Sequence, residues 1–319
     1  MILFVFIIVL MLAVVGVCIY CFCSCFYASN KTTKDPYCPL HGEQFLDVQE
    51  HIYASTRRME KVPFEPVQIK SFDGLTLFGR YYHLNDGAPV KIIFHGYRSM
   101  ALRDCAGGFG MAQKLGMNVL AVDQRAHGNS DGHVITFGIC ERRDCLSWID
   151  YVNARFGSKT PIILSGLSMG AATVIMATSL PLPDNVQCVL ADSPYSAPGA
   201  IIKKVCRDIH FPDKLAYPFI WFAARTLGGF NLEQTSAIEA AGASTVPILL
   251  LHGEDDRFVP CQMSRDIHMS SNGCTRLRTF KDAGHGLSYI IEPEQYEKAV
   301  FDFLKKIPAL EEYISVAGV

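Results

Sequence analysis

The sequence predicts an α/β fold built on a mainly parallel sheet. Short apolar runs indicate strands, and amphipathic stretches with helical periodicity lie between most of them. Strands that are buried on both faces and separated by helices are typical of parallel sheets with right-handed crossovers. With 319 residues, of which 50% are hydrophobic, the chain is long and apolar enough to form one large core.

Eight runs carry the strand signal. Asp73-Gly74 separates the first two and favours a tight hairpin turn, so we expect an antiparallel pair to open the domain. The predicted strands are residues 67–72, 75–84, 90–94, 118–122, 161–164, 186–191, 246–251 and 277–280. Ligands of such sheets bind at the carboxyl ends of the strands, so the candidate site should lie there.

The N-terminal residues 1–28 predict a transmembrane anchor, because their apolar run is long enough to cross a hydrocarbon core. A cleaved signal peptide is the alternative, but a basic n-region and an A-x-A-like cleavage site are absent. Lys31 and Lys34 follow the run, which favours a cytoplasmic catalytic domain.

The remaining chain divides into two parts. Residues 29–66 predict a juxtamembrane linker with a helix near 44–61, and no chemistry is visible in it. Residues 67–319 predict the catalytic domain, so a chain beginning near Asp35 is expected to be soluble and active.

Charge and cysteine spacing narrow the possible partners. The formal net charge of −2 provides no basic field for nucleic acid phosphates, so nucleic acid is not an expected partner. Outside the N-terminal segment the cysteines are scattered without metal-ligand spacing, so no metal site is expected. The sequence does not determine the oligomeric state.

A candidate nucleophile lies in Gly166-Leu167-Ser168-Met169-Gly170, which follows one predicted strand and precedes a helical pattern. In strand-turn-helix context this G-x-S-x-G spacing indicates a nucleophile elbow, in which the two glycines relieve a sharp turn and the serine is exposed above the sheet. An ordinary N-cap serine is the alternative reading of such a position.

A serine hydroxyl needs a base, and His285 is the candidate. It lies between two glycines, after the last predicted strand and before a closing helix at residues 293–306. The other nine histidines lack this position or lie in loops where a structural role is more usual, as for His95, His127 and His252.

The acid that orients the base should lie between nucleophile and base in chain order. Asp256 fits an H-G-x-x-D-x-x-V-P pattern directly after a strand, and it is the preferred candidate. Asp255, one position earlier, and Asp192, at the end of the preceding strand, remain alternatives.

Acyl transfer also requires donors for a developing oxyanion. The backbone N–H of Met169, directly after Ser168, is one candidate. The backbone N–H of Tyr97, in the loop after the third predicted strand, is the other, with a plain turn as the alternative reading of that loop.

A long insertion at about residues 195–244 predicts a small helical cap rich in aromatic residues. Since a cap must present apolar side chains to the strand ends, we expect Phe219, Trp221 and Phe222 to influence acyl-chain selectivity.

These motifs together resemble the α/β-hydrolase family over about residues 67–306, most closely its serine aminopeptidase-like, lysophospholipase-like branch and single-anchor bacterial members. They are His95-Gly96-Tyr97, residues 123–130, residues 166–170, residues 252–260 and Gly284-His285-Gly286. The chain departs from the branch pattern D-x-R-G-H-G-x-S at Ala126, which replaces a glycine. The resemblance implies a mostly parallel eight-stranded sheet and hydrolysis through an acyl-enzyme, without a metal or organic cofactor.

Cleavage of a carboxylic ester with an apolar acyl or aryl group is the first hypothesis, since the cap is aromatic and the chain carries a membrane segment. An aminopeptidase or amidase is one alternative, but it would need a carboxylate near the site to hold a substrate ammonium, and the acidic cap candidates Glu233 and Glu239 are few. A thioesterase is another. A non-catalytic membrane-tethered binding module is a further alternative, against which the intact set Ser168, Asp256 and His285 argues.

Overall fold

One sheet of eight strands lies at the centre of the part of the chain that the computed structural model describes, residues 1–28, 35–40 and 42–316. Its spatial order is β1-β2-β4-β3-β5-β6-β7-β8, with every pairing from β4 to β8 parallel. The strands are β1 (Glu65–Lys70), β2 (Thr76–Tyr82), β3 (Val90–Phe94), β4 (Asn118–Asp123), β5 (Ile162–Leu167), β6 (Val186–Asp192), β7 (Ile248–Gly253) and β8 (Thr275–Phe280). This confirms the mostly parallel, eight-stranded α/β sheet predicted from the sequence.

The antiparallel hairpin also lies where the sequence predicts it. β1 and β2 pair antiparallel, and β2 pairs antiparallel with β4. The Ser71 backbone N–H donates to the carbonyl of Leu75 at 2.9 Å, which closes the turn. Gly74 has a φ of 92°, a left-handed value that glycine adopts without steric cost.

Helices cover both faces of the sheet, and the sheet separates two hydrophobic cores. They are α1 (Ile2–Cys25), α2 (Gln49–Glu60), α3 (Ala101–Asp104), α4 (Ala106–Lys114), α5 (Glu141–Phe156), α6 (Met169–Ala177), α7 (Pro198–Asp208), α8 (Asp213–Thr226), α9 (Ala237–Ala243), α10 (Gln262–Ser270), α11 (Ser288–Ile291), α12 (Pro293–Leu304) and α13 (Pro308–Val316). One core contains α5, α6 and the buried faces of α7 to α9. The other contains α4, α12 and α13.

The insertion at residues 195–244 consists of α7, α8 and α9, but these helices do not form one unit. α7 packs against α8, and α8 packs against α1. α9 instead packs against α6 and α10, within the helical layer on the sheet. The cap proper therefore comprises α7 and α8.

α1 has the length and composition of a membrane-crossing helix, features that a signal sequence shares. It contains 24 residues, with a mean hydropathy of 3.4 in its most apolar window. Cys18 is the only buried residue among those within α1. Parts of the predicted linker, residues 29–34 and 41, lie outside the described residues, and α2 occupies most of its predicted helical part.

The residues that follow α1 pack into the main domain. Phe26 is completely buried, and its carbonyl accepts a hydrogen bond from the backbone N–H of Ile135 at 2.8 Å. The Ala28 backbone N–H donates to the carbonyl of His133 at 2.9 Å, and Tyr27 forms a β-bridge with Val134. The N-terminal segment is therefore held on the domain by core packing, in addition to its covalent connection.

The loop after β4 accommodates the alanine that replaces a glycine of the family pattern. Ala126 is buried and has a φ of 63°, a left-handed value that costs an L-residue with a Cβ about 1 kcal/mol or more. The neighbouring Arg125 guanidinium binds the Asp144 carboxylate through two bonds of 2.6 and 2.7 Å. The departure thus affects a loop held by its own ion pair and leaves the strand ends unchanged.

Candidate active site

Ser168 lies at the sharp turn between β5 and α6. Its φ of 55° and ψ of −115° are strained for a residue with a side chain. The flanking glycines allow the turn: a Cβ on Gly166 would lie 2.3 Å from the carbonyl of Gly170, and a Cβ on Gly170 would lie 2.2 Å from the carbonyl oxygen of Phe94. The G-x-S-x-G spacing therefore has a direct steric cause.

His285 approaches Ser168 from the loop that follows β8. The His285 Nε2 atom lies 2.9 Å from the Ser168 Oγ atom, and its Nδ1 atom lies 2.7 Å from Oδ2 of Asp256. The three side chains predicted from chain order are thus linked by hydrogen bonds, with His285 between Ser168 and Asp256. In this arrangement the imidazole can accept the hydroxyl proton while its other nitrogen donates to the carboxylate.

Asp256 is buried and held from several sides. Its Oδ1 atom accepts hydrogen bonds from the backbone N–H groups of Phe258 and Val259 at 2.9 and 2.7 Å. Burial alone would raise the pKa of Asp256, but hydrogen bonds from His252 and His285 lower it to about 2. The carboxylate is therefore ionised at neutral pH.

The two alternative acids lie in other surroundings. Asp192, at the end of β6, accepts hydrogen bonds from the hydroxyls of Tyr296 and Ser193 at 2.9 and 3.0 Å. Burial raises the pKa of Asp192. Asp255 is exposed to solvent. Of the three carboxylates, the hydrogen-bond geometry brings that of Asp256 to His285.

The loop after β3 runs beside the candidate nucleophile. A Cβ on Gly96 would lie 3.5 Å from the Cβ of Ser168 and 3.1 Å from the Asp104 carboxylate. The Gly96 backbone N–H donates to Oδ2 of Asp104 at 2.8 Å. Such close approach explains a glycine at this position and brings the following residue, Tyr97, beside the serine.

Two buried histidines hold this loop. His127 Nε2 accepts a hydrogen bond from the backbone N–H of Arg98 at 3.0 Å, and His95 Nε2 accepts one from the backbone N–H of Gln124 at 3.0 Å. Burial lowers the pKa of His127 to about 3, so its ring stays neutral and can accept that bond. The two rings have the structural hydrogen-bonding role expected of these loop histidines.

Tyr97 and Met169 are the two residues whose backbone N–H groups are predicted to stabilise the oxyanion. Met169 is the first residue of α6, where an N–H group has no intrahelical acceptor. Within the described residues, the Tyr97 backbone N–H donates to no other backbone carbonyl. Both N–H groups thus belong to segments that flank Ser168 and are available to a ligand.

The end of α1 contacts the same loop, which sequence reasoning missed. The Tyr97 hydroxyl donates to the carbonyl of Cys25 at 2.8 Å. The Arg98 guanidinium donates to the carbonyls of Ser24 and Tyr27 at 2.9 and 3.2 Å. The cationic Arg98 side chain therefore interacts favourably with carbonyls at the C-terminal end of the α1 dipole, and this end of α1 supports the loop after β3, which is the predicted oxyanion loop.

Gln44 is a second missed residue. It lies in a short 3-10 turn, Glu43–Phe45, within the predicted linker. Its Oε1 atom accepts a hydrogen bond from the backbone N–H of His285 at 3.0 Å. A Cβ on Gly284 would lie 2.4 Å from that oxygen, so a larger residue before the histidine would displace the Gln44 side chain. No sequence motif signals this contact, because it joins residues 241 positions apart.

The aromatic residues of the cap are oriented differently from the expectation. Phe222 is half exposed, and Phe219 and Trp221 are only partly buried. The buried positions of α8 are instead Ala216, Tyr217, Ile220, Ala223 and Ala224. α8 carries apolar residues on both sides, so helical periodicity alone could not identify its inner face.

A separate aromatic cluster lies over the strand ends. Phe137 contacts Tyr97, Tyr195 and Phe26, with ring centroids 5.1, 6.4 and 5.8 Å apart. Phe26 also contacts Phe230, in the segment between α8 and α9, at 5.2 Å in an edge-to-face arrangement. This aromatic cluster joins the predicted oxyanion loop, the loop after β6, the segment between α8 and α9 and the residue that follows α1. In the described ranges, no group of three or more His, Cys, Asp or Glu side chains is arranged to hold a metal ion.

Comparison with known proteins places this geometry in a family context. Solved structures with the same fold include the esterase Pf2001 of Pyrococcus furiosus, with a TM-score of 0.64 and 23% identity over 88% of this chain and 99% of that chain. Est1E of Butyrivibrio proteoclasticus with bound ferulic acid has a TM-score of 0.60 and 22% identity over 76% and 99% of the respective chains.

Comparison of sequences also finds relatives of this chain. The chain is 24% identical to the uncharacterized protein YqkD of Bacillus subtilis, over 79% of this chain and 82% of that protein. It is 25% identical to the lysophosphatidylserine lipase ABHD12 of Macaca fascicularis over 60% of this chain, which spans about half of that longer protein, 49%. The model of the alpha/beta hydrolase family matches residues 92–299. The chain therefore belongs to the α/β-hydrolase family.

Proposed function

We propose that this protein is a membrane-anchored serine hydrolase that cleaves a carboxylic ester of an apolar acyl or aryl group through an acyl-enzyme on Ser168. The observation that carries the proposal is the hydrogen-bonded series Ser168 Oγ, His285 and Asp256, with bonds of 2.9 and 2.7 Å. It lies at the carboxyl ends of parallel strands, where ligands of this sheet type bind.

The mechanism follows from the geometry. His285 Nε2 takes the Ser168 proton as the hydroxyl oxygen attacks the ester carbonyl, and Asp256 stabilises the imidazolium through Nδ1. The backbone N–H groups of Tyr97 and Met169 stabilise the oxyanion. The imidazolium then protonates the leaving alcohol, and a water molecule, deprotonated by His285, hydrolyses the acyl-enzyme to release the acid and free Ser168.

Two observations support an apolar acyl or aryl group. The aromatic cluster around Phe137 provides an apolar surface next to the oxyanion loop. Proteins similar to this chain include one named as an esterase and one named as a lysophosphatidylserine lipase.

The membrane anchor is supported by α1 and by the residues after it. Cleavage of a signal peptide close to the end of α1 would sever or remove Phe26, which is completely buried in the core. A retained helix keeps this packing. The positive charges of Lys31 and Lys34, which lie outside the described residues, favour a cytoplasmic catalytic domain.

The reaction class is tested on the detergent-solubilised full chain with matched acyl esters, thioesters and aminoacyl amides. We expect the ester with a medium acyl chain to have the highest kcat/KM, and His285→Ala to abolish turnover of all substrates. Faster cleavage of an aminoacyl amide than of the matched ester would instead identify an amidase or aminopeptidase. Preference for the thioester would identify a thioesterase, and no turnover of any substrate would favour a binding module.

A further inference from the structure

The cap helix α8 is apolar on two opposite sides. Its inner side packs into the core through residues such as Tyr217 and Ile220. Its outer side carries Leu215, Pro218, Phe219 and Phe222 at spacings of three and four residues, which place them on one stripe. A helix on the surface of a globular protein usually presents polar residues on the side away from the core.

This outer stripe is exposed except at Phe219, which is half-buried, and it continues into the preceding turn. Leu215 is 68% exposed and Phe222 is 50% exposed. Ile209 and Phe211, in the turn between α7 and α8, are 68% and 54% exposed. We call this set the cap stripe: Ile209, Phe211, Leu215, Pro218, Phe219 and Phe222. An exposed apolar patch of this kind indicates a binding surface.

The cap stripe belongs to the helix that packs against α1. The contacts involve the end of α1, where Cys18 is buried and Cys21, Phe22 and Cys25 pack against the core. A hydrocarbon core is roughly 30 Å thick, which requires about 20 helical residues. The roughly 16 residues from Ile2 to Val17 rise only about 24 Å. A spanning α1 must therefore include part of its docked end in the membrane, which brings α8 to the membrane surface.

We propose that the cap stripe is a membrane-binding surface that inserts into the boundary between lipid headgroups and acyl chains. The surface would be continuous with the bilayer around α1. Lys214 and Arg225 are exposed on α8 beside the stripe, where cationic side chains can bind lipid phosphates. The active site then opens next to the bilayer, and substrate enters from the membrane.

This inference rests on the anchor part of the proposed function, but not on catalysis. It differs from the expectation that Phe219, Trp221 and Phe222 line an acyl pocket. Phe222 is exposed and Phe219 lies beside it on the cap stripe, whereas Trp221 is partly buried against the core. Substitution of the stripe residues should therefore alter access to membrane-borne substrate more than the chemistry of a soluble one.

Quenching by brominated lipids tests the contact directly. The full chain is reconstituted in phosphatidylcholine vesicles that contain dibrominated phosphatidylcholine, and tryptophan emission is measured. The chain has two tryptophans, of which Trp148 is buried beneath the sheet. In a Trp221→Phe background, Phe222→Trp places a probe on the cap stripe. The matched control is Met269→Trp in the same background, since Met269 is 70% exposed on α10, which packs against α9, β7 and β8.

We expect emission of the Phe222→Trp protein to be quenched at least twofold more than that of the Met269→Trp protein. Equal quenching of the two would overturn the proposal. A second copy of the chain that covered the stripe would shield the probe, and would therefore give this negative result. Alkaline carbonate washing tests the anchor separately from the cap stripe. If the protein stays with the vesicles but its probe is not quenched, the cap stripe is refuted and the anchor is retained. If the protein is released into the supernatant, both the anchor and the cap stripe are refuted.

An activity measurement provides a second test. Phe222→Glu should lower hydrolysis of a long-chain monoacyl ester embedded in phosphatidylcholine vesicles by about tenfold relative to Met269→Glu. Hydrolysis of a soluble short-chain ester in detergent should be equal in the two variants. An equal decrease with both esters would indicate damage to the fold and contradict the membrane role, as would unchanged hydrolysis of the embedded ester. If the unsubstituted chain hydrolyses no ester, the proposed function is wrong. The quenching result would still show whether the cap stripe contacts the membrane.

Discussion

The side-chain oxygen of Gln44 accepts a hydrogen bond from the backbone N–H of His285 at 3.0 Å. This contact joins the segment between α1 and α2 to the loop that carries the candidate base. On the other side of Ser168, the carbonyl of Cys25 accepts a hydrogen bond from the Tyr97 hydroxyl at 2.8 Å. The N-terminal segment therefore supports both loops that flank the candidate nucleophile.

The first prediction concerns Gln44 as a positioning residue. Gln44→Ala should lower kcat for a soluble ester about fivefold, in line with about 1 kcal/mol for a lost hydrogen bond, and leave KM nearly unchanged. Gln44→Glu retains an acceptor oxygen and should restore most of kcat. The matched control is Gln49→Ala, since Gln49 belongs to the same segment but accepts from the backbone N–H of Leu40. A similar loss of kcat in both alanine variants would mean that the linker acts only through stability.

The second prediction concerns the acid. Asp256→Asn should lower kcat by several orders of magnitude, because an asparagine favours the wrong tautomer of His285, as in a serine protease where the loss is about 10⁴. Asp255→Asn should have little effect, since Asp255 is exposed. Kinetics of both variants on one soluble ester check this. Should Asp192→Asn be the damaging change instead, the acid lies at the end of β6.

The third prediction concerns stability against pH. The pKa of Asp256 is lowered to about 2, below its ordinary value of 3.8, mainly by hydrogen bonds from His252 and His285 that outweigh the effect of burial. A lowered folded-state pKa contributes stability that is present above about pH 4 and is lost as the pH falls towards 2. Between pH 6 and pH 3 the unfolding free energy of the unsubstituted protein should fall by about 1 kcal/mol more than that of Asp256→Asn. Urea titrations at the two pH values measure the difference; equal losses would show that Asp256 is not held as described.

The fourth prediction concerns the boundary of the catalytic domain. Phe26 is completely buried and contacts Phe137 and Phe230, so Phe26→Ala should cost about 3 to 5 kcal/mol of stability. Cys23→Ala is the control, because Cys23 is exposed. A chain beginning near Asp35 lacks Phe26, so we now expect it to be markedly less stable, contrary to the expectation from sequence. A shortened chain with full stability and activity would contradict this view of the N-terminal segment.

The sequence predicted the sheet and the candidate catalytic positions because both depend on local signals. Apolar runs such as residues 90–94 are buried on both faces, and the turn at Ser168 requires glycines at fixed spacing. The bounds of the strands differ from the prediction by a few residues, since hydrogen-bond pairing and not side-chain pattern sets where a strand ends.

The contacts of the N-terminal segment could not be predicted in the same way. Gln44 and Phe26 act on loops far away in the chain, and neither lies in a motif. The inner side of α8 was also not predictable, because Phe222 and Tyr217 are similarly apolar but face opposite environments. Only tertiary packing, here against α1 and α7, separates the buried side from the exposed one.

The most direct test of the central claim is stoichiometric labelling with a fluorophosphonate, which phosphonylates an activated serine. The reaction of the detergent-solubilised full chain is followed by intact mass, and the modified peptide is then identified. We predict one adduct per chain, on Ser168, and no adduct in the Ser168→Ala variant. Stoichiometric labelling of Ser168→Ala, or an adduct on another residue of the unsubstituted chain, would contradict the assignment of Ser168 as the nucleophile.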